Sequence, residues 1–242
     1  MTVSITGVGW VTASGTGRGQ EDRVFSMPDA PLPEITQKAI LDIRACPRFG
    51  RMDPYSKLGL VAIASALKDA SLDEWTEKRP IGLISSTLYG CLQTDMAFFE
   101  TVIPQKGRLA SPNLFTYTLP NCFLGDAAIL FGLTGASFVI NEQTHSGLDA
   151  LRMALDCIVL EESDGMLAGV CDLGRPLFLS GSIGLAPGAL FFVIERSPRS
   201  RHVGYGELSM DKSGALFFDG SEIETATECV KKCLEASPPD KD

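Results

Sequence analysis

Asn141-Glu142-Gln143-Thr144-His145-Ser146-Gly147-Leu148 is the stretch on which the reading of this chain turns. An apolar, β-branched run at 136–140 precedes it, and an almost wholly apolar run at 147–160 follows. The first reads as a strand and the second as a helix, with a tight turn between them. Several enzyme families mount a nucleophile on such a strand–turn–helix. The helix N-terminus there offers oriented N–H groups and a partial positive charge, and a cysteine so placed is activated. Here the position is held by Thr144.

Outward from the turn, the chain alternates between strand and helix signals. Residues 3–11 read as a buried strand, and the Gly/Ser/Thr-rich 13–19 as a loop. Its Gly15, Gly17 and Gly19 lack the spacing of a dinucleotide fingerprint. Residues 20–50 carry several prolines and no clean period, which predicts an irregular excursion with one short helix. Asp53-Pro54 is a helix start, a capping residue followed by proline in the first turn, and apolar spacing carries that helix to about residue 70. A strand at 81–86, a helix at 88–102, a long loop at 104–120 and a helix at 121–131 lead to the strand before the turn. Beyond it come a strand at 166–171, a strand pair at 189–194 and 202–208, a charged helix at 222–235 and a frayed tail at 237–242. The class is α/β.

The helix after the turn has one narrow polar stripe, Asp149, Arg152 and Asp156, and is otherwise apolar. A helix apolar over most of its circumference is expected to be buried on several sides.

Several segments, in order, resemble the β-ketoacyl synthases of the thiolase-like fold. Residues 3–9 resemble the family's first strand, Val-x-Ile-Thr-Gly-x-Gly. Arg51-Met52-Asp53-Pro54-Tyr55-Ser56-Lys57-Leu58 resembles the motif that opens its first long helix. Ser111-Pro112, Leu119-Pro120-Asn121 and Gly132-Leu133-Thr134-Gly135 match the segment before the active-site strand, and Pro187-Gly188-Ala189 to Glu195-Arg196 resembles the strand that closes the first half. The family's turn reads close to Thr-Ala-Cys-Ala-Ser-Gly, so alignment on Ser146-Gly147 puts Thr144 in the cysteine slot; a one-residue shift puts Gln143 there.

The resemblance implies a mixed sheet with a buried central helix, truncated relative to the two-half, five-layer fold. It implies a ketosynthase-like N-terminal domain over 1–210 and a short C-terminal extension with a helix over 211–242. The family condenses acyl thioesters with a cysteine, assisted by two histidines and a lysine from the second half. Threonine is a weak nucleophile without a base beside it, and no histidine follows residue 209. Glu142-Gln143 and Gly147-Leu148-Asp149-Ala150 echo the turn of chain-length-factor subunits, which lack the cysteine. The expectation is a non-catalytic, chain-length-factor-like partner in fatty-acid, polyketide or polyene synthesis. An acyl hydrolase or acyltransferase using Thr144, with His145 as base, and a homodimeric acyl-binding scaffold are the alternatives. The expected partners are a full-length ketosynthase or a second copy, joined through 136–160, and an acyl carrier protein. Arg44, Arg48, Arg51 and Lys57, or Arg196, Arg199 and Arg201, are the cationic clusters that would receive the carrier.

Composition narrows the classes further. The net charge of −9 argues against a general nucleic-acid binder. No apolar run reaches the roughly 18–20 residues that span a membrane, and no signal-like segment opens the chain, so a cytoplasmic protein is expected. Seven cysteines without a Cys-x-x-Cys pair read as reduced, buried thiols. No metal or cofactor is expected.

Overall fold

The computed structural model describes residues 2–22, 24–142, 144, 146–176, 186–196 and 204–236. Nine strands form one mixed sheet in the order β4-β3-β5-β6-β1-β7-β8-β9, with β2 also paired to β1. They are β1 (Thr2–Thr12), β2 (Gly15–Arg18), β3 (Ile81–Thr87), β4 (Ser137–Asn141), β5 (Gly165–Asp172), β6 (Gly188–Glu195), β7 (Gly206–Met210), β8 (Leu216–Phe218) and β9 (Ser221–Ile223). β3 runs parallel to both β4 and β5, and the other pairings are antiparallel. The helices are α1 (Lys38–Leu41), α2 (Pro54–Asp69), α3 (Leu92–Val102), α4 (Pro112–Phe115), α5 (Cys122–Phe131), α6 (Asp149–Val159) and α7 (Ala226–Ala236).

Two cores flank the sheet. α2 and α5 bury one face, with Phe123, Phe131 and Phe191 among the fully covered rings. α6 and α7 bury the other, around Leu151, Leu155, Phe192 and Val230. The architecture is therefore α-β-α. α2 starts as expected: the Asp53 carboxylate accepts a hydrogen bond from Ser56 N–H at 2.9 Å, and Pro54 follows. The two glycines in the opening strand motif let α2 lie against β1. A Cβ on Gly9 would stand 2.2 Å from the Ala66 nitrogen, and one on Gly7 would stand 2.5 Å from the Ala66 carbonyl oxygen.

Four local expectations change. Residues 15–18 are a strand, β2, hairpinned onto β1 through Gly9↔Arg18 to Thr12↔Gly15; a Gly-Thr-Gly-Arg strand has no apolar alternation to announce it. The segment expected at 202–208 is β7, and it pairs with β1 rather than with β6. β8 and β9, three residues each, extend the sheet where only a helix was expected. The long loop before α5 contains α4, capped by Ser111. The calls on residues 202–203 and 237–242 lie outside the described residues.

α6 also differs from the expectation of burial on several sides. It buries Ala150, Leu151, Ala154, Leu155, Cys157 and Ile158 and leaves Met153 and Val159 partly exposed. Much of its cover is supplied by 206–236, whose Leu208, Leu216, Phe218, Ile223 and Cys229 share the α6 core.

Candidate functional site around the turn before α6

β4 ends beside β3, where Glu142 N–H donates to the Thr87 carbonyl at 2.9 Å. From there the chain turns through Gly147, whose φ of +70° suits glycine, into α6. The centre of the turn is Glu142, whose side chain folds back over the start of that helix. Its Oε1 accepts from the Ser146 hydroxyl at 2.7 Å, Gly147 N–H at 2.9 Å, Leu148 N–H at 3.3 Å and the Thr144 hydroxyl at 3.2 Å. Glu142 and Leu148 are buried, whereas Thr144 is exposed. The two N–H groups immediately ahead of the α6 first turn, Gly147 and Leu148, are thus already paired with the chain's own carboxylate.

Gln143 and His145, the other two residues expected near the nucleophile slot, lie outside the described residues, as does His202. Thr144 is placed at the turn, and its nearest acidic neighbour is Glu142. From the sequence, Glu142 reads as a buried, hydrogen-bonded residue of the turn rather than a catalytic one, and the structure buries it with these partners. The signal for its role is positional: an acidic residue just ahead of a predicted helix start is placed to meet the free N–H groups.

A second buried carboxylate lies close by. Asp172, at the end of β5, accepts from the Thr87 hydroxyl at 2.8 Å and from Leu88 and Tyr89 N–H at 2.9 Å each. Burial pushes its pKa above the usual aspartate value, against the pull of those three hydrogen bonds. It fixes the crossover from β3 to α3, and sequence patterning carried no sign of it.

Between the turn, the end of β5 and the start of α7 lies a cavity of about 220 Å³. Its polar rim carries the Thr144, Ser146, Thr225 and Thr227 side chains, with Glu142 and Asp172 beside them. The apolar wall includes Leu88, Val170, Leu190 and Ala226. Thr225 accepts from Glu228 N–H at 3.1 Å, which caps the first turn of α7. Ala226 N–H donates to the Ser146 carbonyl at 2.7 Å, fastening α7 directly to the turn.

The cysteines stand apart from this chemistry. Six of the seven are buried, and burial raises the thiol pKa of Cys46, Cys122, Cys157 and Cys171. Cys91, at the start of α3, is pushed up to about 12 by burial, with Asp95 and Asp53 adding to the shift. Among the described residues, no group of three or more His, Cys, Asp or Glu side chains is placed to hold a metal ion. No helix among them is long and apolar enough to cross a membrane.

The first cationic cluster is dispersed among local partners. Arg44 lies over the Trp75 ring at 5.7 Å, Lys57 near the Phe49 ring at 5.8 Å, and Arg48 is 3.6 Å from Asp126. Arg196 is 3.6 Å from Glu161 and 3.7 Å from Asp164. Arg199 and Arg201 lie outside the described residues.

Comparison with known proteins accords with this geometry. A 3-oxoacyl-[acyl-carrier-protein] synthase 2 of Vibrio cholerae is 27% identical over 133 residues, which are 54% of this chain and 32% of that protein. The chain thus spans about a third of the length of this curated relative. Among solved structures, the ishigamide ketosynthase/chain length factor superposes with a TM-score of 0.65 at 18% identity, covering 86% of this chain and 66% of that one. A type II polyketide synthase ketosynthase in complex with its acyl-carrier protein gives 0.65 at 18%, covering 86% and 67%. At these identities the two structures establish the fold alone. The model of the beta-ketoacyl synthase N-terminal domain matches residues 44–177, more than half of the chain, and the chain belongs to that family.

Proposed function

We propose that this chain is a non-condensing, ketosynthase-like subunit that works beside an intact ketosynthase in fatty-acid, polyketide or polyene synthesis, in the manner of a chain-length factor. The observation that carries the reading is the pairing of Thr144 with Glu142 at the turn. A condensing site needs a nucleophile there and free donors for the oxygen that becomes negative during acyl transfer. Thr144 supplies no thiol, and Glu142 occupies the Gly147 and Leu148 N–H groups.

The rival reading, hydrolysis or acyl transfer by Thr144, has one point in its favour: a carboxylate 3.2 Å from the hydroxyl. That same oxygen accepts three further hydrogen bonds, so it is already engaged in holding the turn. The non-catalytic reading is the better supported.

Association through the sheet edge fits this role. β4 is the terminal strand of the sheet, its three central residues are half-buried apolar side chains, and it lacks the charges that normally protect an edge. α3 and the segment after it leave Phe99, Ile103, Phe115 and Leu119 more than half exposed, a further apolar surface of the kind that partners cover. We assign the partner as a ketosynthase, with a second copy of this chain as the competing outcome.

The test is condensation of malonyl and acyl thioesters by the purified chain alone. No product is expected. Rates comparable to those of an intact ketosynthase would overturn the proposal, and acyl-thioester hydrolysis abolished by Thr144→Ala would establish the rival.

A further inference from the structure

We draw no further inference here: the strongest candidate, the groove of about 590 Å³ between the start of α2, α3 and α4, carries nothing, because its buried carboxylate, Asp53, is already held by Ser56 N–H and the Thr94 hydroxyl and the exposed Arg51 on the same lining leaves the groove with no charge preference that would name a ligand.

Discussion

Removing the Glu142 side chain tests the turn most informatively. In Glu142→Ala, the buried Gly147 N–H loses its acceptor, whereas Leu148 N–H keeps the Ser146 hydroxyl at 3.3 Å. An unsatisfied buried donor costs about 1–3 kcal/mol before relaxation. Part is recovered because a carboxylate no longer has to be buried, and because a water from the adjoining cavity has room to enter. The favourable term with the α6 dipole, about 0.3–1 kcal/mol, is lost. The net expectation is a destabilisation of about 1.5–3 kcal/mol, dominated by the orphaned donor. For a chain of this size, that lowers the melting midpoint by roughly 3–12 °C. Glu142→Gln keeps an acceptor in place and loses only the charge, so it should cost about 1 kcal/mol. The assay is urea unfolding with matched calorimetry, because m-values reveal any change in the unfolded state. Glu142→Ala within ~0.5 kcal/mol of wild type, a change typical of an inconsequential surface substitution, would refute the reasoning. Glu142→Gln as damaging as Glu142→Ala would refute it equally.

Other perturbations separate the roles of neighbouring elements. Thr144→Cys should not restore condensation, and its thiol should titrate no lower than the ordinary value of about 8.5, because the Glu142 carboxylate stands beside that position; ultraviolet titration of the thiolate checks this. Val139→Pro, placed in the terminal strand β4, should abolish association with a ketosynthase before it unfolds the rest, which light scattering and circular dichroism distinguish. Iodoacetamide at neutral pH should label native Cys122 slowly and leave the six buried thiols untouched, as peptide mapping would show. Asp172→Asn sets an amide N–H against one of the donors that now reach the carboxylate, costing about 1–3 kcal/mol at neutral pH. Because the folded-state pKa of Asp172 is raised, the folded chain takes up this proton before the unfolded chain does as pH falls. Its contribution therefore favours the fold increasingly as pH drops from that raised value towards the ordinary aspartate value of 3.8. The stability gap between wild type and variant should therefore widen across that window as pH falls, read from unfolding curves at several pH values.

The legible parts of the fold were those where one physical signal dominates. Asp53-Pro54 announced α2 because a cap and a first-turn proline act within four residues. The turn at 141–148 was legible because two apolar runs with different periods meet there, and Thr144 could be assigned to it. β2 was missed because glycine and threonine carry no burial pattern, although β1 gives them a complete ladder. The pairing of β7 with β1 depends on sheet order, which short-range patterning does not encode. β8 and β9 are too short for a period to emerge. The site was legible only along the chain: the cavity exists because 225–227 meets a turn about eighty residues earlier, and Asp172 reaches Leu88 across the sheet. Such contacts are set by topology. The role of Glu142 was within reach, since a buried acid ahead of a helix has few other places to put its charge.

Covalent acylation gives the most direct test of the central claim. The purified chain would be incubated with hexanoyl-N-acetylcysteamine at neutral pH and examined by intact-mass spectrometry with peptide mapping. The account predicts an unmodified chain, because the turn offers Thr144, a weak nucleophile, beside a carboxylate already engaged by Ser146, Gly147 and Leu148. One acyl group added per chain and mapped to Thr144 would contradict it.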